Sequence, residues 1–230
     1  MNYKCIFFDL DHTLWDYETN SQETLFELFH QFSLKERGVT DHERFYIQFK
    51  KVNTQLWDLY DSGIITSEVI RNERFKKILE PFGAYEKKMA DLLSTEYLRM
   101  CPQKGNVMPN AIKTLEYLAQ KYNLTIITNG FEDTQYTKVA SAKLDHFFDH
   151  IITSQKAGCK KPAKEIFEFA LDLHAIKAGE AIMVGDNLIT DMGGARNASI
   201  DTIYFNPESI RHDHQVKYEI NDLHELCSFL

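Results

Sequence analysis

The sequence predicts an α/β fold in which a doubly wound parallel sheet is interrupted, after its first strand, by a helical insertion. Three observations predict this architecture. Short, nearly continuous apolar runs recur along the chain, as is typical of strands that are covered on both faces. Amphipathic helical patterns alternate with the later runs, as in parallel sheets with right-handed crossovers. A long stretch after the first run has helical periodicity alone.

Five apolar runs are the predicted strands, and helical patterns lie between the later ones. In Asn110–Tyr122, apolar residues share one helical face, and Pro109 just before them favours a helix start. Ala163–Leu173 and Leu188–Asn197 have the same kind of pattern. The predicted strands are Lys4–Phe8, Leu124–Thr128, Ile151–Thr153, Ala181–Gly185 and Thr202–Phe205.

The insertion extends from about Tyr17 to Met100 and contains no strand pattern. Its apolar residues recur at helical intervals, and turns that contain Gly38, Gly63 and Gly83 divide it, so we expect four helices here. The predicted domains are the insertion, residues 17–100, and an α/β core made of residues 1–16 and 101–230.

The composition excludes several kinds of protein. The chain has 230 residues with 26 Lys+Arg and 34 Asp+Glu, and this net charge of −8 argues against a nucleic-acid polymer as partner. Its 43% hydrophobic content is sufficient for a core. No apolar stretch approaches the ~20 residues of a membrane-spanning helix, and no secretory signal is recognisable. We therefore expect a cytoplasmic protein that does not bind membranes.

Polar residues suited to phosphate chemistry follow four of the predicted strands. Ligands of open α/β sheets bind outside the carboxyl ends of the strands, so these residues are expected to meet. Asp9 and Asp11 leave the first strand, and two carboxylates this close require a compensating cation or proton. A carboxylate at a strand end is also a competent nucleophile toward phosphorus. By itself, the pair is equally compatible with a solvated acidic turn.

The second and third strands are followed by groups that suit an anion. Thr128 and Asn129, next to Gly130, offer a hydroxyl, an amide and backbone N–H groups. Lys161 precedes a proline, which favours an extended backbone, and would present its ammonium to a phosphate. Lys160 is the alternative for this role.

The fourth strand is followed by two further carboxylates, Asp186 and Asp191. They complete an oxygen-rich site for Mg²⁺, which prefers few protein carboxylates together with water and phosphate oxygens. An aspartate at a helix start is also a common N-cap. Four such fragments in chain order, each at a strand end, favour a catalytic site.

Together these fragments resemble the four signature motifs of the haloacid dehalogenase (HAD) superfamily. Ser154-x3-Gly158-x2-Lys161-Pro162 is similar to its subfamily I, whose helical cap domain occupies the place of the insertion. The resemblance covers the whole chain and implies a Rossmann-like core. In the insertion, Leu56-Trp57-x2-Tyr60-x2-Gly63 is similar to bacterial house-cleaning pyrimidine 5′-nucleotidases. The four motifs are Asp9-x-Asp11-x-Thr13, Thr128-Asn129, Lys161-Pro162 and Gly185-Asp186-x4-Asp191.

The resemblance implies a role for each site residue. Asp9 would attack phosphorus to form an aspartyl-phosphate, and Asp11 would protonate the leaving alkoxide and then deprotonate water. Mg²⁺ would be held by Asp9, the backbone carbonyl of Asp11, and Asp186, with Asp191 in support. The residues that bind the phosphate would be Thr128, Asn129 and Lys161.

The resemblance implies a phosphatase that acts on a small phosphorylated metabolite, with nucleoside 5′-monophosphates favoured. Asp11 favours phosphate transfer over 2-haloacid dehalogenation, because an alkoxide needs a proton to leave and a halide does not. A sugar-phosphate phosphatase and a phosphomutase remain alternatives with the same motifs. Outside the enzymes, the alternatives are a phosphoacceptor receiver domain and a catalytically silent binding module. Trp57 and Tyr60 are candidates to stack on a base, although aromatic residues at helical spacing are more often core.

Overall fold

A six-stranded sheet in which every strand pair is parallel lies at the centre of the fold. The structure, a computed structural model, describes residues 2–214 and 216–230. The strands are β1 (Cys5–Phe8), β2 (Asn123–Thr128), β3 (His150–Thr153), β4 (Ala181–Gly185), β5 (Asp201–Phe205) and β6 (Tyr218–Ile220). Their order is β3-β2-β1-β4-β5-β6, so the direction of winding reverses at β1, as in doubly wound folds.

The burial of the central strands follows from their sequence. All four side chains of β1 and all five residues of β4 are buried, as expected for a parallel sheet flanked by helices. The predicted α/β fold with a doubly wound parallel sheet is confirmed. Each of the five predicted strands is present with bounds within one residue of those expected.

The sequence did not predict β6. This strand has three residues and lies at the edge of the sheet, where it pairs with β5. Its central residue, Glu219, is exposed, whereas Ile220 is buried. So short an edge strand lacks the continuous apolar run that marks the buried strands.

The insertion consists mainly of four α-helices. It forms a compact unit of its own, residues 18–104, and residues up to 17 together with 105–230 form the other; we call them the insertion unit and the core unit. Aromatic rings of Phe45, Phe49, Phe75 and Tyr97 pack inside the insertion unit, with centroids of contacting pairs 5.0 to 6.5 Å apart. The helices are α1 (Tyr17–Gln31), α2 (His42–Asp61), α3 (Ser67–Leu79) and α4 (Lys87–Met100).

The turns between these helices contain the residues that the sequence suggested. Gly38, Gly63 and Gly83 have φ values of 100°, 76° and 65°, a left-handed conformation that glycine adopts without steric cost. Asp41 is the N-cap residue of α2, and its side chain accepts a hydrogen bond from the N–H of Glu43. Across residues 2–214 and 216–230, no helix is both long enough and apolar enough to cross a membrane.

The helices of the core unit differ from the prediction in several places: the helix expected over Asn110–Tyr122 ends at Leu118, the helix at Glu132–Ser141 was not predicted, and the chain after β4 is irregular. The pattern over Leu188–Asn197 predicted a regular helix, but the chain forms a wide π-helical turn over Leu188–Gly193 before a short α-helix. The side chain of Asn187 caps this turn, because it accepts hydrogen bonds from two N–H groups of the first turn. The α-helices are α5 (Ala111–Leu118), α6 (Glu132–Ser141), α7 (Ser154–Ala157), α8 (Lys164–His174), α9 (Gly194–Asn197) and α10 (Leu226–Phe229).

Candidate active site

The carboxyl ends of β1 and β4 bring three carboxylates together at one edge of the sheet. Asp9 directly follows β1, and its N–H donates to the carbonyl of Val184 in β4 at 2.9 Å. Asp186 directly follows β4, and the π-helical turn over Leu188–Gly193 carries Asp191. One oxygen atom from each of these three carboxylates lies within 4.8 Å of the others. We call these three residues the acidic cluster.

Lys161 is the cation of the acidic cluster. Its Nζ lies 2.6 Å from Oδ1 of Asp9 and 2.6 Å from Oδ1 of Asp191, and the residue is only 2% exposed. Burial by itself lowers the pKa of this ammonium, but the charges and hydrogen bonds of Asp191 and Asp9 outweigh burial, so the pKa is raised. Lys161 therefore stays charged. Lys160, the alternative, is partly exposed.

Asn129 fixes the backbone of Lys161. Its Nδ2 donates to the carbonyl of Lys161 at 2.9 Å, and its Oδ1 accepts from the N–H of Lys161 at 2.8 Å. The side-chain amide of Asn129 is thus engaged with the backbone of Lys161. The hydroxyl oxygen of Thr128 accepts a hydrogen bond from Gly130 N–H at 3.0 Å, so its own hydrogen is available to another acceptor.

The two carboxylates that follow β4 are oriented by short local contacts. The hydroxyl of Thr13 donates to Oδ1 of Asp186 at 3.0 Å, and the N–H of Asn187 donates to Oδ2 of Asp191 at 3.1 Å. A Cβ at Gly185 would lie 2.3 Å from Oδ2 of Asp191, so only glycine leaves room for this carboxylate. Both oxygens of Asp191 are occupied, one by Lys161 and one by backbone.

The charges of the acidic cluster are unbalanced. Burial raises the pKa of Asp9 to about 7 and that of Asp186 to about 6, and burial also raises the pKa of Asp191. Three carboxylates face the single ammonium of Lys161, so the cluster carries excess negative charge. Oxygen donors at this spacing fit a hard divalent cation, which would balance the charge.

The side chain of Asp11 has other partners than the acidic cluster has. Its two carboxylate oxygens lie 2.6 and 2.8 Å from Nζ of Lys138, and Oδ2 also accepts from Nε2 of Gln135 at 3.2 Å. Both partners project from α6, which follows the Thr128-Asn129 segment. The structure thus gives Asp9 and Asp11 different cations, Lys161 and Lys138.

Comparisons with known proteins show the family of this chain. Residues 3–199 match the model of a hydrolase family described as haloacid dehalogenase-like. The chain belongs to this family. It is 29% identical to the HAD-hydrolase YfnB of Bacillus subtilis over 99% of this chain and 95% of YfnB. The crystal structure of YfnB bound to magnesium superposes with a TM-score of 0.90 and 28% identity, covering 100% of this chain and 99% of that one.

Two further relatives of this HAD-like chain have named activities. The pyrimidine 5′-nucleotidase PynA of Streptococcus pneumoniae is 29% identical over 100% of this chain and 96% of PynA. The glyceraldehyde 3-phosphate phosphatase of Methanothermobacter thermautotrophicus is 30% identical over 89% of this chain and 86% of that protein. This HAD-like hydrolase is therefore similar over most of its length to proteins with different phosphorylated substrates.

The structure of the HAD-like chain brings most of the residues singled out from sequence to one edge of the sheet. The site combines the acidic cluster with Lys161, whose ammonium contacts Asp9 and Asp191. The side chain of Asn129 contacts the backbone of Lys161. Lys138 and Gln135 were not singled out. They lie three residues apart on one helix, a spacing that places them on one face but does not indicate which strand end the face meets.

The residues proposed from sequence to recognise a base lie in the insertion unit. The rings of Trp57 and Tyr60 contact each other edge to face, with centroids 5.4 Å apart. The same unit contains a buried arginine, Arg74, which is 2% exposed and has its guanidinium 4.5 to 5.7 Å from the centroids of three aromatic rings. Its Nη1 donates to Oδ1 of Asn53 at 3.1 Å. Arg74 is therefore an interior residue of the insertion unit.

Proposed function

We propose that this HAD-like hydrolase is a Mg²⁺-dependent phosphomonoesterase that forms an aspartyl-phosphate and acts on nucleoside 5′-monophosphates. The observation that carries the proposal is the separate support of two carboxylates two residues apart. Asp9 is buried and held by Lys161, whereas Asp11 is held by Lys138. One carboxylate is thereby available as nucleophile and the other as proton donor and acceptor.

The reaction proceeds in two displacements at phosphorus. In the first, an oxygen of Asp9 forms a bond to phosphorus while the bond to the leaving oxygen breaks, and Asp11 transfers a proton to that oxygen. In the second, Asp11 takes a proton from water, the water oxygen forms a bond to phosphorus, and the bond to Asp9 breaks. Inorganic phosphate leaves and both carboxyl groups return to their initial state.

Charge that spreads over the phosphoryl oxygens is stabilised by groups already in place. Lys161 stays charged between Asp9 and Asp191, and its backbone is fixed by Asn129. The hydroxyl of Thr128 has its oxygen occupied by Gly130 N–H and can donate its hydrogen. Such preorganised donors lower the barrier because they need no reorganisation during the reaction.

Asp9, the backbone carbonyl of Asp11, and Asp186 would hold Mg²⁺. Asp186 uses one oxygen for the Thr13 hydroxyl, so its other oxygen is available for a cation. Asp191 would act mainly by orienting Lys161, since one of its oxygens contacts that ammonium and the other accepts from the Asn187 N–H. When bound, the ion would supply positive charge that offsets the acidic cluster and the negative phosphate.

The substrate class is supported by PynA, a named pyrimidine 5′-nucleotidase that is similar over the full length of this chain. A sugar-phosphate phosphatase is the second candidate, because the glyceraldehyde 3-phosphate phosphatase is similar over 89% of the chain. The two candidates share the core chemistry. They differ in the leaving group and can be separated only by comparing substrates.

The test is a phosphate-release panel with uridine 5′-monophosphate, glyceraldehyde 3-phosphate and a 2-haloacid, run with magnesium chloride or with a chelator. We expect magnesium-dependent release of phosphate, fastest from the nucleotide, and no halide. Asp9→Asn should abolish turnover, whereas Asp172→Asn, which changes an exposed carboxylate of α8, should not. Faster turnover of the sugar phosphate would contradict the substrate class, and an active Asp9→Asn variant would contradict the nucleophile.

A further inference from the structure

The contacts of Asp11 point to residues that act through it. Lys138 contacts both oxygens of this carboxylate, at 2.6 and 2.8 Å, and Gln135 contacts one of them at 3.2 Å. The Asp11 side chain is 22% exposed and is therefore accessible at the site. Three hydrogen bonds from two side chains restrict both the position of the carboxyl group and the rotation of its plane.

Lys138 is itself held in place. The residue is only 6% exposed, and its Nζ lies 4.6 Å from the ring centroid of Trp15 and 5.6 Å from that of Tyr17. Trp15 is fully buried, so this aromatic surface is fixed. An ammonium over an aromatic face is attracted by the ring, and a buried lysine has few alternative rotamers. Lys138 therefore presents its charge to Asp11 from a rigid support.

Gln135 occupies space that a glycine provides. A Cβ at Gly130 would lie 1.8 Å from Nε2 of Gln135 and 2.4 Å from its Cδ, so the amide passes directly over this glycine. Gln135 is 1% exposed, and within residues 2–214 and 216–230 its Oε1 has no hydrogen-bond partner. A buried amide with one unpaired atom costs free energy, so a compensating role is expected for its other atom. The contact that this arrangement preserves is the one to Asp11.

We propose that Lys138 and Gln135 are positioning residues that hold the Asp11 carboxyl group where it meets the oxygen of the leaving group. This inference rests on the proposed phosphomonoesterase function. Because Asp11 forms its ion pair with Lys138, it does not compete with Asp9 for contact with Lys161. A displacement of about 1 Å in a proton donor is sufficient to cost about 100-fold in rate.

The inference is tested by comparing two leaving groups. The alkoxide of uridine 5′-monophosphate needs a proton to leave, whereas the nitrophenolate of p-nitrophenyl phosphate leaves without one. The parameter is kcat/KM, since it reports the steps up to formation of the aspartyl-phosphate. In Lys138→Met we expect kcat/KM for the nucleotide to fall about 10- to 100-fold and for the nitrophenyl ester less than about 3-fold.

Two further variants separate positioning from a general structural effect. Lys138→Arg keeps a cation that can contact both oxygens, and it should recover most of the nucleotide activity. Lys138→Met made in an Asp11→Asn background should add little to the loss caused by Asp11→Asn alone, because both act through one group. Lys113→Met removes an exposed lysine from α5 and is the matched control, which should leave both substrates unaffected.

The outcomes distinguish this inference from the proposed function. If the wild-type protein releases no phosphate from either ester, the proposed function fails. If the wild-type protein is active but Lys138→Met lowers kcat/KM equally for both esters, Lys138 does not position the proton donor. Additive losses in the Asp11→Asn background would lead to the same conclusion. Activity of each variant toward p-nitrophenyl phosphate shows that its site is folded.

Discussion

Lys161 and Lys138 are both buried, and each lies 2.6 Å from a carboxylate oxygen, but their surroundings differ. Lys161 contacts two carboxylates in the interior, Asp9 and Asp191. Lys138 contacts Asp11, which is partly exposed. Loss of a cation between buried anions leaves charge that solvent cannot screen, whereas a partly exposed carboxylate is hydrated. We therefore expect loss of Lys161 to lower both stability and activity, and loss of Lys138 to lower mainly activity.

Replacement of Lys161 by Met should destabilise the fold. The variant leaves Asp9 and Asp191 buried without their shared cation, and breaking such a network costs about 3–5 kcal/mol. The free energy of unfolding in urea measures this loss. Lys164→Met is the matched control, because Lys164 is exposed and its ion pair with Glu168 contributes little. Equal stability of the two variants would show that Lys161 does not neutralise buried charge.

Gly130→Ala tests the space above the loop that follows β2. The added methyl group displaces the side chain of Gln135, and we expect a loss of about 1–3 kcal/mol in the free energy of unfolding. A double variant that also carries Gln135→Ala removes the clash, so it should recover stability but not turnover of nucleotide. Thermal unfolding and kcat/KM measured on the same samples separate the two effects. A stable Gly130→Ala variant with full activity would contradict the tight packing.

At the scale of elements, the π-helical turn after β4 determines where Asp191 lies. A regular α-helix that begins at Leu188 would have one residue fewer in each hydrogen-bonded turn. The Asp191 side chain would then point in a different direction. Asn187 caps the turn, since its Oδ1 accepts from the N–H groups of Ile189 and Thr190, both at 2.9 Å. The N–H of the same residue also holds Oδ2 of Asp191.

Asn187→Ala should therefore weaken both the turn and the site. Loss of the side-chain cap costs about 1 kcal/mol in the free energy of unfolding. We also expect a several-fold lower rate of phosphate release, because the first turn that carries Asp191 loses its anchor. Asn187→Ser retains a side-chain oxygen and should restore most of the stability. An Asn187→Ala variant with unchanged stability and rate would show that backbone contacts alone maintain the turn.

The sequence predicts these elements unequally, for physical reasons. Fully buried strands such as β1 are read from continuous apolar runs, and the residues that follow them are placed by the shared edge of a parallel sheet. Asp9 and Lys161 are recognisable for this reason. The contact of Lys138 with Asp11 depends on how α6 packs near the end of β1, which no local pattern encodes. The widened turn that carries Asp191 differs from an α-helix by one residue per hydrogen-bonded turn, a difference too small for the apolar periodicity to reveal.

At the scale of the whole molecule, the net charge of −8 describes the surface, whereas the acidic cluster contributes a pH dependence to stability. Folding raises the pKa of Asp9 from 3.8 to about 7 and that of Asp186 from 3.8 to about 6. At pH values between 3.8, the ordinary pKa of an aspartate, and about 7, the folded protein binds more protons than the unfolded chain. Stability contributed by the protonated carboxyls is complete below about pH 4 and is lost as the pH rises toward 7.

Without divalent cations, the temperature at the midpoint of thermal unfolding should therefore decrease as the pH rises from 5 to 8. We expect a decrease of several degrees, because about 1 kcal/mol corresponds to about 2–4 °C in a protein of this size. Magnesium chloride should raise the midpoint more at pH 8 than at pH 5, since a cation binds the ionised carboxylates and protons compete with it. Asp186→Asn should show a shallower decrease and a smaller response to magnesium, whereas Asp172→Asn should behave as wild type. An equal response to magnesium at both pH values would contradict a metal site built on the acidic cluster, because protonation of Asp9 and Asp186 must then be unconnected with cation binding.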